Sequence, residues 1–345
     1  MKKIVFAIIG LVLINCFMIS YAKTSDIPQE VAVGTNLDSL INVTGYFCKN
    51  DTIDYWISET EWKLNDGDTI KTAGVSTKVR IVVTDSTSTG YKMTYTFLDC
   101  VGDTAVDKGL GAFQNKIVEK LGKKVVGTTI EFETDEFGHI TKFNNLGKIK
   151  KQAKSLYKDC MNEFVNDDAI KALKGMGIDM KNLINQNVNT DELVDGYTKE
   201  LNMLFACHGY SYPLGENHAH EDATDTQYEN DTYVTVTKDE DDDYHLSFDV
   251  VSIIPQSVIK DKIAELVGMF VNNDIKEDFA TEYDKQVNAD ATSDSYLVYD
   301  FIGNGWPYKV LDQTTNMIGK VGKCKQTYIW VDYYSFANWA KKSCI

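Results

Sequence analysis

Three histidines are the best candidates in this sequence for the ligands of a metal ion. His218 and His220 are two positions apart, so both imidazoles point to one side if residues 218–222 are extended. His208 lies upstream of them and could supply a third nitrogen, as a transition metal requires. The neighbouring residues are acidic, so the alternative is a solvated loop that binds no metal. Apart from this candidate, the sequence predicts no cofactor.

The cysteines beyond position 22 are candidates for disulfide bonds, which form in oxidising compartments. Their number is even, which permits up to three bridges but does not determine which cysteines pair. The alternative is that they are buried thiols. The six candidates are Cys48, Cys100, Cys160, Cys207, Cys324 and Cys344.

Patterns typical of nucleophilic or metal-dependent enzymes are absent from the sequence. It contains no Gly-x-Ser-x-Gly, no His-Glu-x-x-His and no glycine loop that would hold a phosphate. We therefore expect a protein that is not an enzyme. A hydrolase with dispersed carboxylates is the less favoured alternative, because the fold decides how far apart two carboxylates lie.

Alternating apolar residues predict β-hairpins over residues 79–97 and 234–250. Tyr91, Met93 and Tyr95 lie on one face of the first hairpin, and Tyr244 holds the position in the second hairpin that Tyr91 holds in the first. Such a face either lines a cavity or fills a core. We take these four residues as the candidates for binding an apolar ligand.

The order of the predicted elements defines an expected fold. Each of these hairpins precedes an amphipathic helical pattern and then a further hairpin, over residues 130–143 and 297–311. The sequence therefore predicts an α+β fold of two pattern-related halves, in which curved antiparallel hairpins pack against amphipathic helices. Strands at 55–57 and 327–334 are expected to pair and to close the sheet.

The same order suggests boundaries for the domains. We expect a signal peptide at residues 1–22, a first half at 23–188 and a second half at 189–345. The pattern does not decide whether the two halves are separate domains or share one sheet.

Two segments resemble secreted Gram-negative envelope proteins of unknown function. One is the hairpin at 132–140 with the sequence Phe-Glu-Thr-Asp-Glu-Phe-Gly-His-Ile, followed by a helix. The other is Tyr-Pro-Leu-Gly at 212–215, which leads to Asn-Asp-Thr-Tyr at 230–233 and a hairpin. Those proteins resemble the lipoprotein-carrier fold, an incomplete barrel of antiparallel strands with helices in its mouth. The resemblance implies a concave, apolar-lined sheet that could hold an acyl chain or a peptide.

Residues 1–22 have the order of a secretory signal peptide. Two lysines precede an apolar run, and Ser20-Tyr21-Ala22 supplies a small-x-small cleavage site. This pattern predicts a secreted or periplasmic protein with no transmembrane span after cleavage, because the apolar run is too short to cross a bilayer. The alternative is a lipid anchor at Cys16, although the preceding Asn15 is larger than that processing favours.

The net charge of the protein limits the classes of partner that it can bind. The net charge is −16, and Arg80 is the only arginine, so nucleic acid is not an expected partner. The partner predicted is an apolar small molecule, a lipid or an extended peptide. The sequence thus favours an exported cell-envelope protein that binds such a ligand on a curved antiparallel sheet. The alternative is a structural or interaction protein with a packed core and no ligand.

Overall fold

A computed structural model of the chain describes residues 40–103, 120, 122–164, 190–222, 228–258 and 290–337. Its main elements are thirteen strands and two longer helices. The helices are α1 (Leu146–Phe164) and α2 (Thr190–Phe205), which pack against each other. The strands are β1 (Leu40–Asn42), β2 (Thr52–Asn65), β3 (Asp68–Thr87), β4 (Gly90–Gly102), β5 (Thr129–Thr134), β6 (Ile140–Phe143), β7 (Ser211–Pro213), β8 (Gly215–Glu221), β9 (Glu229–Lys238), β10 (Tyr244–Ile254), β11 (Ala291–Phe301), β12 (Pro307–Ile318) and β13 (Val321–Ser335).

Eleven of the strands form one antiparallel sheet. Their order is β6-β5-β4-β3-β2-β13-β12-β11-β10-β9-β8, so β6 and β8 are its two edges. Strands β1 and β7 make a separate antiparallel pair, in which Leu40 lies opposite Pro213. Most neighbours in the large sheet are consecutive in the chain. The exception is the contact of β2 with β13, which brings together strands from the two ends of the described chain.

Short turns fix the register of the hairpins. Between β2 and β3 the chain turns at Asp66 and Gly67, whose φ angles are 48° and 92°. Two consecutive residues with positive φ are typical of a type I′ turn, and Asp-Gly is a favoured sequence for it. All four predicted hairpins are present as strand pairs: β3–β4, β5–β6, β9–β10 and β11–β12.

The predicted pairing of the outlying strands is confirmed. Residues 55–57 belong to β2 and residues 327–334 to β13, and Trp56 lies opposite Trp330. Because this contact is continuous from Thr52 to Asn65, the strands of the first half and those of the second half belong to one sheet.

The predicted fold class is wrong. The described chain is mainly antiparallel β-structure and is not a balanced α+β fold whose helices pack against separate hairpins. The predicted strands were too short, because they ended where apolar residues stop alternating with polar ones. β3 instead runs from Asp68 through ten further, largely polar, residues before the apolar run at 79 begins. The helical patterns near 110–121 and 259–270 fall almost entirely outside the described residues.

The main core lies on one face of the sheet, which we call the inner face. On β2 this face carries Ile53, Tyr55 and Ile57, each at most 3% exposed. Residues opposite each other on neighbouring strands share a face, so the register extends it across the sheet. Helix α2 packs there through Leu201, Leu204 and Phe205, and its neighbour α1 contributes Ile149. Of the helices in the described part, none is long and apolar enough to cross a membrane.

The cysteines divide between the two predicted alternatives, disulfide bonds and buried thiols. Cys100, Cys207 and Cys324 are buried thiols, whereas Cys48 is disulfide-bonded. Burial among apolar groups raises the pKa of the Cys207 thiol to about 12, which leaves it unreactive. Cys344, Cys16 and the signal peptide lie outside the described residues, as does the side chain of Cys160.

The Cys207 assignment can be tested by alkylation and peptide mapping. We expect Cys207 to resist iodoacetamide in the folded protein and to react after unfolding without reductant, because only burial protects it. Cys48 should react only after reduction. Recovery of Cys207 in a disulfide-linked peptide would contradict this.

A second prediction concerns the joint between β2 and β12. The buried Tyr55 hydroxyl donates a hydrogen bond of 2.7 Å to the carbonyl oxygen of Pro307. Tyr55→Phe leaves that carbonyl without its partner, so we expect the free energy of unfolding to fall by about 1–3 kcal/mol in urea titrations. Tyr308→Phe, at an exposed ring, is the matched control and should change it by less than about 0.5 kcal/mol. Equal effects of the two changes would refute the role of Tyr55.

Candidate functional site

The four residues predicted to bind an apolar ligand lie in the core. Tyr91, Met93, Tyr95 and Tyr244 are all at most 8% exposed and belong to the buried apolar cluster. The Tyr91 hydroxyl donates to the Gly45 carbonyl oxygen at 2.9 Å, and the Tyr244 ring stacks on Phe301. In this structure they are therefore packing residues of the inner face.

The three histidines do not come together. His208 is fully buried, and its Nε2–H donates to the Gly305 carbonyl oxygen at 2.9 Å. Burial lowers the pKa of His208 to about 4, so the ring is neutral. Its Nδ1 has no hydrogen-bond partner among the residues that the structure describes. These features make His208 part of the core.

His218 and His220 lie instead on the edge strand β8. Their Nε2 and Nδ1 atoms are 2.8 Å and 3.0 Å from the same oxygen of Asp231, so both imidazoles do point to one side. The hydrogen bond to Asp231 raises the pKa of His220. No group of three metal-ligating side chains in the described ranges has the arrangement of a metal site.

The side chains of the inner face change from apolar to polar along the strands. Beyond Ile57 on β2 and Ile329 on β13, the residues of this face become polar. Polar residues then continue across three more strands, β12, β11 and β10. We call these residues the polar band. In cross-strand rows they are Glu59, Thr327 and Asp312; Glu61, Lys325, Thr314 and Ser295; and Lys323, Asn316, Ser293 and Ser252.

Much of the polar band is shielded from solvent. Ser293, Thr327 and Asn316 are at most 8% exposed, and the Asn316 side-chain oxygen has no hydrogen-bond partner among the described residues. Glu61 forms ion pairs with Lys323 at 2.7 Å and with Lys325 at 3.6 Å. Burial lowers the pKa of Lys325, and Glu61 only partly offsets that effect. The band therefore holds polar groups where a packed sheet face would have apolar side chains.

Helix α2 crosses the border between the apolar rows and the polar band. Its Lys199 ammonium lies 3.2 Å from Glu59, and the next residue, Glu200, is 8% exposed. Burial, and then the charge of Glu59, raise the pKa of Glu200 to about 7. Burial also raises the pKa of Asp312. Charged groups with shifted pKa values that collect at one place are typical of functional sites.

The residues of this border were not singled out from the sequence. Glu59 and Asp312 are separated by most of the chain, and only the β2–β13–β12 register brings them together. A signal was present in β13, where Lys323, Lys325 and Thr327 continue the alternation that ends at Ile329. These three residues are polar, so the alternation of apolar residues does not include them.

Comparisons with known proteins add little to this geometry. No protein-family model matches the sequence, and no curated protein matches it. Among solved structures, a chain of lipovitellin from a study of its lipid–protein interactions is similar, with a TM-score of 0.40 and 8% identity. The match covers 86% of this chain and 26% of the lipovitellin chain, so this protein spans about a quarter of that length.

The raised pKa of Glu200 predicts a pH-dependent stability. A carboxyl whose pKa is higher in the folded than in the unfolded state loses stability as pH rises, here from about 4.5 to just above 7. We expect Glu200→Gln to be more stable than the wild type at pH 8, by up to about 3 kcal/mol, and equal to it at pH 4. Urea titrations at several pH values measure this difference. Glu131→Gln, at an exposed position, is the control, and a difference that does not grow with pH would contradict the assignment.

Proposed function

We propose that this protein is a non-catalytic, exported cell-envelope protein that binds a ligand with an extended apolar chain and a polar end. Export rests on the signal-peptide pattern of residues 1–22. Binding rests on the inner face of the sheet. The ligand's polar end would meet the polar band, and its chain would run along the apolar side chains that begin at the border.

The polar band is the observation that carries this proposal. Shielding a charge or an amide from water costs free energy that an apolar residue at the same position would not cost. A sheet face that served only as a core would be more stable with apolar side chains at Ser293, Asn316 and Glu61. Binding sites, in contrast, combine apolar walls with a few placed polar groups, as this face does.

A structural or interaction role is the second candidate function. It is favoured by the packing of Tyr91, Met93, Tyr95 and Tyr244 in the core. In that role the four side chains stabilise the fold and no ligand is needed. The two candidates differ in what the purified protein carries.

Native mass spectrometry of the protein purified from its own cell envelope tests the proposal. We expect extra mass that persists under native conditions and is lost on denaturation, with a polypeptide that begins at Lys23. Thr314→Val removes one hydroxyl from the polar band and should lower the liganded fraction at least twofold. Thr235→Val makes the same change on the opposite face and should not alter it. A bare polypeptide in every sample would favour the structural role.

A further inference from the structure

The two edges of the large sheet differ in how they are protected. An edge strand presents unpaired N–H and C=O groups, and proteins usually block them with short strands, bulges, prolines or lysines. Strand β6 follows this rule, because it has four residues, its register with β5 shifts after Glu133, and it carries Lys142. Its backbone is therefore a poor template for another strand.

Strand β8, the other edge, has none of these protections. Its seven residues, Gly215–Glu221, pair with β9 without a register shift and include no proline and no lysine. All of them except Asn217 are exposed. Within the described ranges, β9 is the only strand that pairs with β8. β8 is thus a long, regular edge to which a further strand can be added.

The side chains of β8 are held in place by β9. His218 and His220 both hydrogen-bond to Asp231, and the His218 ring stacks on Tyr233 with ring centroids 4.5 Å apart. The strand is therefore ordered in the single chain, and an added strand would not have to supply the free energy of ordering it.

The charged side chains of β8 lie together on one face. Glu216, His218 and His220 are on the face opposite the inner face, because they alternate with Asn217, which lies opposite the buried Val234. The hydrogen bond to Asp231 raises the pKa of His220, which favours its positive charge. Among the described residues, Glu216 forms no ion pair. The strand therefore carries an acceptor at one end of this face and a donor at the other.

This order of charges is complementary to itself. In an antiparallel pair of two β8 strands related by a two-fold axis at His218, Glu216 of each copy lies opposite His220 of the other, on the same face. Opposite charges at directly opposite positions stabilise such a pair. The register also pairs all seven residues, whereas an axis at Asn217 or at Ala219 would pair five of the seven.

We propose that β8 is a dimerisation strand, which pairs with β8 of a second copy of this chain in antiparallel register about an axis at His218. The two eleven-stranded sheets then form one continuous sheet. The contact involves one strand from each copy, so the interface is small and we expect a weak dimer, with a dissociation constant in the micromolar range. This interaction surface adds to the proposed function and does not depend on it.

Sedimentation velocity at neutral pH, from micromolar to several hundred micromolar protein, tests this. We expect the dimer fraction to grow with concentration. His220→Glu sets two carboxylates opposite each other on both sides of the axis and should weaken the dimer at least about fivefold. Adding Glu216→Lys to that variant restores opposite charges and should restore the dimer. Thr141→Glu adds a carboxylate at an exposed position of β6 and should change nothing.

A thiol on the two-fold axis gives a second readout. His218→Cys places one thiol opposite its own copy, and Cβ atoms of directly opposite residues are about 4.5–5.5 Å apart, near the span of a disulfide. Mild oxidation should therefore give a covalent dimer on a non-reducing gel. Thr141→Cys, at the other edge of the sheet, is the matched control and should remain a monomer.

The outcomes separate self-pairing from its alternatives. Protein that is monomeric at every concentration and forms no cross-link would overturn self-pairing and leave β8 as an edge for a strand of another protein. A dimer that His220→Glu does not weaken would have its interface elsewhere and would also overturn the proposal. A dimer that His220→Glu weakens and the double variant does not restore would overturn the register about His218.

Discussion

The pairing of β2 with β13 is the constraint on which the rest of the structure depends. Without it, β2–β6 and β8–β13 would be two separate runs of antiparallel strands, each with an unpaired edge. Their contact makes one sheet and sets Glu59 opposite Thr327, which in turn lies opposite Asp312. The buried hydrogen bond from Tyr55 on β2 to Pro307 on β12 crosses this pairing and links residues 252 positions apart in sequence. Both the core and the border of the polar band are therefore built from residues distant in sequence.

Along each strand, the inner face passes from side chains whose burial stabilises the fold to side chains whose burial opposes it. In the apolar rows, a fully buried side chain such as Ile57 contributes roughly 2 kcal/mol, and helix α2 covers these rows. At the border of the polar band the balance reverses, because desolvating a carboxylate such as Glu200 of helix α2 opposes folding. The apolar rows can offset that cost because they are continuous across the sheet. A stable half and a costly half on one face is the arrangement expected of a binding scaffold.

Local patterns in the sequence predicted local structure well. The four hairpins and the β2–β13 contact follow from short apolar alternations, such as Tyr91, Met93 and Tyr95 on β4. The fold class was wrong because strands persist through polar residues once neighbouring strands supply their hydrogen bonds. The border residues were missed for a related reason. The register of the sheet alone puts Glu59 and Asp312 in one cross-strand row, and only the position of α2 brings the charge of Glu200 to act with that of Glu59. His208 was predicted as a metal ligand because of its residue type. In the structure it is a buried, neutral imidazole of the core.

Photo-crosslinking would test the central claim, ligand binding on the inner face, most directly. A dodecanol that carries a photoreactive group near its hydroxyl would be bound to the native protein and activated, and the labelled residues would be identified by peptide sequencing. We expect labels on inner-face residues at the border, around Glu59 and Asp312, and on α2 near Glu200. Labels concentrated on the opposite face, around Trp56 and Trp330, would contradict it.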